Sequence, residues 1–466
     1  MAESTNEKMR NQAKHSSWEQ INSYEEAQQY LLEVPKFTRK HSLEETRCFL
    51  QVLGAPGENG KIIHVAGTNG KGSVCAYLCS VLTEAGYRVG MFTSPHLVEM
   101  RERFRIGSSI ITEERFLWSF RYVMERLEEM RRVSGKPEYH PTFFELLFLM
   151  GMVLFREAQT DYILLETGLG GRMDATNAIQ NPVLTVITEI GYDHMEYLGD
   201  TIEKIAGEKA GILKPGVPVV FCDKRMEATR VILKRAQMLE NRAVAVNAEA
   251  CIQRNLTNKS IDFSMHSRYY GYVRLKLMTS ALYQIENAAI AVRCIEELIA
   301  QEIGMPEDEN SSMKAPLISL KQLQDGLTHA FWEGRMEEVL SGVYVDGAHN
   351  EDGIHAFVQT VEADACIGHR YLLFSAVADK EYGLMIDLLK DKKLFDQVAV
   401  VGLHSSRAAD PERLKQLFGE GVFYSDTKQA LDDLLNKKKE DDLLYVVGSL
   451  YLVGEVKVLL RRRTDD

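Results

Sequence analysis

The chain has 466 residues, of which 45% are apolar and 26% are charged. That length and balance are typical of a globular protein with two or three domains, and they exclude a fibre or a wholly disordered chain. Lysine and arginine total 55 against 67 aspartates and glutamates, which gives a formal net charge of −12. So acidic a chain lacks the basic surface of a general nucleic-acid binder, and we expect no nucleic-acid partner.

The cysteines and the N-terminal residues bear on location. The seven cysteines are scattered along the chain, an odd number that favours free thiols in a reducing compartment. Residues 1–17 are polar and lack the apolar core of a signal peptide, and no apolar run is long enough to cross a bilayer. We therefore expect a disordered leader over residues 1–17, a cytoplasmic protein and no membrane partner.

Short apolar runs alternate with amphipathic segments from Lys61 onward. Apolar runs of this length predict buried strands, and the segments between them predict helices, as in repeated βαβ units. We expect a mostly parallel sheet flanked by helices, because consecutive parallel strands need such crossovers. The predicted strands are 61–66, 87–92, 162–165, 183–187 and 217–221, and the predicted helices are 73–85 and 142–155.

The C-terminal part repeats this alternation on a smaller scale. Residues 304–315 are the least hydrophobic stretch and predict a surface loop, whereas residues 318–330 predict a helix. We expect two α/β domains, a P-loop-type domain over residues 18–332 and a smaller Rossmann-like domain over residues 333–466. The strands predicted for the second domain are 343–345, 371–374, 398–401 and 444–447.

The segment His64–Ser73 (HVAGTNGKGS) carries the strongest chemical signal. It runs from a predicted strand through a glycine-rich turn into a predicted helix, so that backbone N–H groups can converge on phosphate oxygens. The helix N-terminus adds partial positive charge, Lys71 can reach the β- and γ-phosphates, and Ser73 can ligate Mg²⁺. The spacing departs from the general P-loop pattern, since three residues separate Gly67 from Lys71 and Gly72 precedes Ser73. The predicted phosphate-binding residues are Gly67, Thr68, Asn69, Gly70, Lys71, Gly72 and Ser73.

Three other polar residues stand out on physical grounds. Glu166 directly follows the predicted strand 162–165 and precedes Gly168. A carboxylate at the carboxyl end of a parallel strand faces the crevice where doubly wound sheets bind ligands. Thr142 and Glu145, placed just before an apolar run, match a helix capping box.

Seven further segments follow the loop along the chain. They are TSPHL (93–97), TFFE (142–145), ETGLGGRMDATN (166–177), DH (193–194) with LG (198–199), EKAGI (208–212), DGAHN (346–350) and GSLYL (448–452). Together with GTNGKGS they resemble the folylpolyglutamate synthase family of the Mur ligase superfamily, including its bifunctional dihydrofolate synthase relatives. The resemblance runs from about Tyr24 to the C-terminus.

The resemblance implies an ATP-dependent ligase. A carboxylate of a folate or folylpolyglutamate attacks the γ-phosphate of ATP, and the amine of L-glutamate then displaces phosphate from the acyl phosphate. The implied substrates are ATP, folate and L-glutamate, and a monomer is expected. Positioning and charge neutralisation are the protein's tasks in such a transfer. The implied catalytic residues are Lys71, Lys209 and His349, and the implied ATP-binding residues beyond the loop are Asn287, Arg335 and Asp346.

The same resemblance implies a magnesium site, with two ions expected. It makes Glu166 and His194 ligands, joined by Ser73 or Ser94. Oxygen ligands suit Mg²⁺, whereas histidine is a less typical partner. In relatives the lysine that matches Lys209 is carbamylated, which turns a cation into a carboxylate that helps to hold the second ion.

The resemblance also implies which residues bind the other two substrates, folate and glutamate. The implied folate-binding residues are Thr142, Phe144, Asp174 and Ala175. The implied glutamate-binding residues are Arg103, His349, Ser449 and Tyr451. Relatives usually carry proline where this chain has Glu333, two residues before the expected hinge arginine Arg335.

Three alternatives stay open. Dihydrofolate synthase activity, alone or alongside polyglutamate synthesis, uses the same chemistry on dihydropteroate. The segment Lys40–Glu44, where bifunctional relatives contact the pterin, departs from the D-L-G-L-E form of some of them. A peptidoglycan-type Mur ligase fits TSPHL and TFFE less well. A nucleotide switch would need the glycine-rich loop and a metal ligand, but would leave Lys209 and the segment 346–350 unexplained.

Overall fold

A computed structural model of the protein describes residues 18–34, 42–57, 60–257, 259–303, 317–403, 405, 407–419 and 421–465. The predicted leader (residues 1–17) and the predicted loop (residues 304–315) lie outside these described residues, as do Lys40 and His41. Within the described part of the chain, no helix is both long enough and apolar enough to cross a membrane.

The strands of the described residues form three sheets. In chain order the strands are β1 (Lys61–Ala66), β2 (Val89–Phe92), β3 (Phe104–Ile106), β4 (Ser109–Ile110), β5 (Tyr162–Glu166), β6 (Leu184–Ile187), β7 (Val219–Cys222), β8 (Ala243–Val246), β9 (Ile252–Leu256), β10 (Ile261–Ser267), β11 (Gly271–Leu277), β12 (Glu337–Leu340), β13 (Val343–Val345), β14 (Arg370–Phe374), β15 (Gln397–Val401), β16 (Val422–Tyr424) and β17 (Leu443–Val447).

The first sheet has the order β4-β3-β2-β5-β1-β6-β7-β8. The strands β2, β5, β1, β6, β7 and β8 pair in parallel, and β3 and β4 add an antiparallel edge next to β2. Val65 of the central strand β1 lies opposite Glu166 on one side and Val186 on the other. The carboxyl ends of three neighbouring strands therefore meet at one edge, as the predicted parallel sheet requires.

The second large sheet has the order β12-β13-β17-β14-β15-β16 and is parallel except for the pair β12–β13. Its strands contain the segments predicted for the smaller α/β domain, so the predicted fold class is confirmed. The last helix before it ends at His329 and β12 begins at Glu337. The predicted border between residues 332 and 333 falls within that connection and stays a prediction.

A small antiparallel sheet with the order β11-β10-β9 was not predicted. Its sequence carries the signal, because apolar residues alternate with polar ones along β11 (GYVRLKL). Such alternation is typical of a strand with one buried face. The buried face of β10 and β11 packs into the core that also lies on the first sheet, through Phe263 and Leu275.

The helices cover both faces of each large sheet. Val65 and Leu164 pack beneath Leu78 of one helix layer, whereas Leu165 packs beneath Phe148 of the other. Burial on both faces explains why the strands are continuous apolar runs. The helices are Tyr24–Glu33, Leu43–Val52, Lys71–Glu84, Glu113–Glu125, Leu127–Ser134, Phe143–Glu157, Met195–Leu198, Ile202–Lys209, Met226–Met238, Gln284–Ile303, Leu320–His329, Glu351–Glu362, Tyr382–Asp391, Pro411–Phe418, Thr427–Lys437 and Leu450–Asp465.

The helix Leu320–His329 packs closely on the helix Lys71–Glu84, and Gly326 makes this possible. A Cβ atom at Gly326 would lie 2.5 Å from the Cα atom of Val81. We expect Gly326→Ala to lower the free energy of unfolding by about 1–3 kcal/mol, because overpacking forces the two helices apart. The thermal midpoint, read by circular dichroism, measures this effect.

The matched control is Gly207→Ala in the helix Ile202–Lys209, where an added Cβ would meet no atom within 4 Å. It should raise the free energy of unfolding by about 0.5–1 kcal/mol through helix propensity alone. Midpoint shifts of the same sign for the two variants would contradict the proposed close contact.

Candidate functional site

The glycine-rich loop joins the end of β1 to the helix Lys71–Glu84. Gly67 has φ +155° and Gly70 has φ +87°, and a Cβ atom would collide with Thr188 at the first position and with Asn287 at the second. Only glycine fits both constraints. The Thr68 and Asn69 amides donate to the Glu189 carbonyl at 2.7 and 3.4 Å. The amides of Thr68 and Asn69 are thus already bonded. The first turn of the helix, whose N–H groups have no partner within the helix, is therefore the part that can bind an anion.

Two lysine side chains meet at the same backbone oxygen of this loop. Lys71 Nζ donates to the carbonyls of Gly67 and Thr68, each at 3.1 Å. Lys209 Nζ donates to the Gly67 carbonyl at 2.6 Å from the end of the helix Ile202–Lys209. Burial, together with the charge of Lys71, lowers the pKa of Lys209 to about 7. The Lys209 amine is therefore partly uncharged at neutral pH.

Glu166 lies beside these lysines at the carboxyl end of β5. Its Oε2 atom accepts a hydrogen bond from the Ser94 amide at 3.0 Å, and its Oε1 atom lies 3.9 Å from Lys71 Nζ. Burial raises the pKa of Glu166 above its ordinary value, and the charge of Lys71 opposes that shift. A buried carboxylate next to a lysine and a glycine-rich turn could provide a hard oxygen donor for a divalent metal ion that binds beside a phosphate.

His194 and His349 both lie close to the carboxylate of Asp193. The Asp193 carboxylate lies 3.8 Å from His194 Nε2 and 3.9 Å from His349 Nε2, and it pairs closely with Lys380. Burial opposes ionisation of Asp193, but Lys380 and the histidines hold its pKa well below the usual range. Burial lowers the pKa of both His194 and His349 to about 4. Both imidazoles are therefore neutral at pH 7.

His349 reaches this place because the second domain packs against the glycine-rich loop. The side-chain amides of Asn69 and Asn350 exchange hydrogen bonds at 3.0 and 3.3 Å. The Asn350 side chain also accepts from the Gly353 amide at 2.8 Å and so caps the helix Glu351–Glu362. The N-terminal end of that helix is thereby fixed on the phosphate loop of the first domain.

A cavity of about 240 Å³ lies between the first helix after the loop and the second domain. Ser73, Gln284, Trp332 and Arg335 contribute to its wall. Gln284 Nε2 donates to Ser73 Oγ at 3.2 Å, and Asn287 stands behind Gln284, donating to its Oε1 atom at 3.0 Å. Asn287, which the resemblance implies as an ATP-binding residue, thus supports the residue that faces the cavity.

Asp346 holds the start of the second sheet in place. Its carboxylate accepts from Tyr283 Oη at 2.5 Å, from the Met336 amide at 2.9 Å and from the Ala348 amide at 2.8 Å. Burial raises the pKa of Asp346 above its ordinary value, and Arg335 opposes the shift. The carboxylate predicted to contact ATP therefore also ties the two domains together.

The residues predicted for folate surround the loop that follows Glu166. Thr142 and Glu145 form the expected capping box of the helix Phe143–Glu157. The Phe144 ring packs against Gly168, where a Cβ atom would lie 2.6 Å from the ring. Ala175 is buried next to Asp174.

Asp174 is the centre of this loop. Its carboxylate accepts from the amides of Gly168 and Leu169 at 2.9 Å each, and from the amide and hydroxyl of Thr176 at 3.0 and 2.6 Å. These partners use the acceptor positions of a carboxylate. Asp174 therefore shapes the loop as well as lying at the predicted folate pocket.

The residues predicted to bind glutamate come from both domains, Arg103 from the first and His349, Ser449 and Tyr451 from the second. Arg103 Nε donates to His96 Nδ1 at 2.9 Å, and the guanidinium lies over the Phe143 ring at 5.7 Å. Burial lowers the pKa of Arg103 to about 10, against the nearby charge of Glu166, so it stays charged at neutral pH. Ser449 is buried and accepts from the Tyr451 amide at 3.2 Å, whereas the Tyr451 side chain is exposed.

Family profiles match most of the chain. Residues 65–295 match the profile described as the Mur ligase middle domain, and residues 334–450 match the one described as the Mur ligase, glutamate ligase domain. The dihydrofolate synthase/folylpolyglutamate synthase of Bacillus subtilis is 33% identical over 451 residues, which cover 94% of this chain and 99% of that protein. The chain belongs to the folylpolyglutamate synthase family of Mur ligases. It is therefore an ATP-dependent ligase, as predicted.

Other relatives and solved structures agree. The folylpolyglutamate synthase of Lacticaseibacillus casei is 28% identical over 94% of this chain and 99% of its own length. E. coli FolC in complex with DHPP and ADP is 28% identical, covers 95% of this chain and 99% of its own, and superposes with a TM-score of 0.79. Mycobacterium tuberculosis folylpolyglutamate synthase with ADP and AMPPCP is 25% identical over 94% and 98% of the two chains, with a TM-score of 0.81.

A smaller cleft next to the cavity joins several predicted residues. Gly72, Ser94, Glu166 and Arg335 all line it, although they lie far apart in the chain. Sequence reasoning missed Lys380, Asn350, Gln284 and Trp332 as residues of this region. Lys380 had a usable signal, because it follows the predicted strand 371–374 at the carboxyl edge of the second sheet.

The pair Asp193–Lys380 crosses between the domains, and both side chains are buried. We expect Lys380→Met to destabilise the protein by about 3–5 kcal/mol at pH 7, because it leaves a buried carboxylate without its main partner. The thermal midpoint of the ligand-free protein measures this. The control Lys392→Met removes a pair with Glu362 in which both side chains are about half exposed, and it should cost less than about 1 kcal/mol. Equal losses of stability in the two variants would contradict the inferred burial of the Asp193 charge.

Proposed function

We propose that this protein adds L-glutamate to the γ-carboxyl group of a folate or folylpolyglutamate, with ATP as co-substrate and an acyl phosphate as intermediate. The observation that carries this proposal is the meeting of Lys71 and Lys209 at the Gly67 carbonyl, beside Glu166 and facing Arg335 of the second domain. Such a cluster neutralises a phosphoryl group that carries negative charge on several oxygens.

The ATP phosphates are proposed to bind at the first turn of the helix Lys71–Glu84. Its N–H groups and the Lys71 ammonium face the β- and γ-phosphates, and Arg335 approaches them from the other domain. The nucleoside is proposed to occupy the cavity between Ser73 and Trp332, with Gln284 on its wall and Asn287 behind Gln284. Two solved relatives are described as complexes with ADP, one of them also with AMPPCP, and this supports nucleotide binding by proteins of this fold.

Magnesium fits the oxygen donors present. Glu166 offers a buried carboxylate and Ser73 a hydroxyl, and Mg²⁺ in proteins is commonly held by one or two carboxylates together with phosphate oxygens. Among the described residues no group of three or more His, Cys, Asp and Glu side chains forms a metal site by itself, which agrees with an ion that arrives with ATP. Ser94 and His194 are proposed as further ligands. When bound, the ion would neutralise phosphate charge.

Lys209 is proposed to carry a carbamate, formed by addition of its neutral amine to CO₂ with loss of a proton. Its place supports this, since the amine is buried and already shares the Gly67 carbonyl with Lys71. The modification would replace two neighbouring cations by a cation and an anion, which removes their repulsion. The new carboxylate would add a second oxygen donor for Mg²⁺ beside Glu166.

The remaining residues are proposed to position the acid and the amine. His349 is neutral at pH 7 and lies where the two domains meet, so it can accept a hydrogen bond from the ammonium of glutamate. Arg103, Ser449 and Tyr451 are proposed to hold carboxylates of glutamate. Phe144 offers an aromatic edge to the pterin, with Thr142, Asp174 and Ala175 around it. One chain supplies all of these groups, which is consistent with a monomer.

Dihydrofolate synthesis from dihydropteroate is the second candidate. The Bacillus subtilis relative carries both activities in its name, and a Saccharomyces cerevisiae relative that is 31% identical is named dihydrofolate synthetase. The two activities share the phosphate and glutamate sites and differ in the acid that is activated.

A product assay separates these activities. The protein is incubated with ATP, Mg²⁺, L-glutamate and either tetrahydrofolate or dihydropteroate, and products are identified by mass. We expect one added glutamate on tetrahydrofolate and phosphate release only when a folate and glutamate are both present. Phosphate release from ATP alone, without product, would favour a nucleotide switch and contradict the ligase.

Lys71→Ala tests the phosphate site in the same assay. We expect product formation to fall by at least about a hundredfold, the typical loss when one preorganised group that stabilises transition-state charge is removed. The matched control is Lys61→Ala at the opposite end of β1, where the lysine pairs with Glu302 at the surface. The control should retain activity within about twofold, as expected for an exposed ion pair.

Labelled bicarbonate tests the carbamate directly. We expect a carbamate carbon resonance in the protein without substitutions and in the control variant Lys204→Ala, which changes an exposed residue of the same helix. The resonance should be missing in Lys209→Ala. A signal of equal strength in Lys209→Ala would place the carbamate elsewhere and overturn its assignment.

A further inference from the structure

The connection between the two domains contains two charged residues, Glu333 and Arg335. It runs from the end of the helix Leu320–His329 to the start of β12 at Glu337. Two of its side chains, Trp332 and Arg335, line both the larger cavity and the smaller cleft. Glu333 lies between them in the sequence and faces charged partners on either side of the connection.

Glu333 is bonded to both domains at once. Its Oε1 atom accepts from Arg105 on β3 of the first domain at 3.1 Å. Its Oε2 atom accepts from Lys457 on the helix Leu450–Asp465 of the second domain at 3.2 Å. The three side chains are only 18%, 11% and 5% exposed for Glu333, Arg105 and Lys457.

A fourth charge completes the set. Lys457 Nζ also donates to both carboxylate oxygens of Glu337 at 2.8 Å, and Glu337 accepts from the Gly334 amide at 2.7 Å. Arg105, Glu333, Lys457 and Glu337 thus alternate in sign and sum to zero. We call these four residues the ionic clamp.

The clamp is buried enough for its pairing to matter. Burial acts to raise the pKa of Glu333, but Lys457 and Arg105 outweigh it and hold the pKa below its ordinary value. Removing one member of a buried pair leaves its partner desolvated without compensation. The connection therefore has a strong preference for the geometry that keeps all four charges together.

The clamp also reaches the wall of the cavity. The Arg105 guanidinium lies over the Trp332 ring at 5.5 Å. Gly72 also lies against that ring, since a Cβ atom there would be 2.7 Å from Trp332 Nε1. Trp332 therefore contacts both Arg105 and the first turn of the helix that follows the glycine-rich loop.

We infer that Glu333 is a positioning residue for the nucleotide: it ties the connection to both domains and thereby fixes Trp332 and Arg335 in the wall of the cavity. The inference rests on the proposed function in one respect, that the cavity takes the nucleoside part of ATP. It assigns to four charged side chains outside the phosphate loop a share of the affinity for nucleotide.

The test measures the dissociation constant of ADP by calorimetry for four proteins: the unmodified chain, Arg105→Met, Glu333→Gln and the double variant. We expect each single variant to raise the dissociation constant about tenfold, or ~1.4 kcal/mol. The double variant should raise the dissociation constant by clearly less than the hundredfold that two independent effects would give, because both changes break the Arg105–Glu333 hydrogen bond. Lys321→Met, which removes an exposed pair with Asp325 on the preceding helix, is the control and should bind ADP like the unmodified chain.

Thermal midpoints of the same proteins separate positioning from stability. Variants with a lower midpoint but an ADP dissociation constant within about twofold of the unmodified chain would reduce the clamp to a structural role and overturn the inference. A hundredfold higher dissociation constant in the double variant would mean that the two changes act independently, and it would contradict the shared contact between Arg105 and Glu333. Glu333→Asp keeps the charge with a shorter reach, and about threefold weaker binding is expected from it even where a harsher variant does not fold. An unmodified chain that binds no ADP would contradict the proposed function itself.

Discussion

The carbonyl oxygen of Gly67 accepts hydrogen bonds from two lysines, and the chemistry of the site depends on that arrangement. Burial lowers the pKa of Lys209, and repulsion by the neighbouring ammonium group of Lys71 lowers it further. Glu166 offsets part of the charge from the neighbouring strand. A triphosphate, a substrate carboxylate or a carbamate on Lys209 would each offset more. The site is thus electrostatically matched to the anions that an acid–amino-acid ligase brings together.

The second domain completes the site through charge that crosses the border. Lys380 reaches Asp193, Arg225 pairs with Asp352 at 2.5 Å, and Glu333 joins Arg105 to Lys457. Each of these pairs links the loops at the carboxyl edge of one sheet, or the connection itself, to the other domain. The candidate site residues of the two domains therefore lie together only when the domains pack as they do here.

Much of this could be predicted from the sequence. The strands at 61–66, 343–345 and 444–447 follow from apolar runs, and the capping box at Thr142 follows from residue spacing. The antiparallel sheet β9–β11 was missed although its alternation was visible. The roles of Asp174 and Asn287 could not be predicted, because their hydrogen-bond partners become neighbours only after the chain has folded.

By itself the sequence determined the parallel α/β architecture, the glycine-rich loop and the family, since these depend on local patterns of apolar residues, glycines and short motifs. The tertiary structure alone decided which charges face one another. Lys71 and Lys209 are 138 positions apart, and Arg105 and Glu333 are 228 apart, yet each pair shares one small space. Electrostatic energy depends on distance and burial, and neither quantity can be read from positions along a chain.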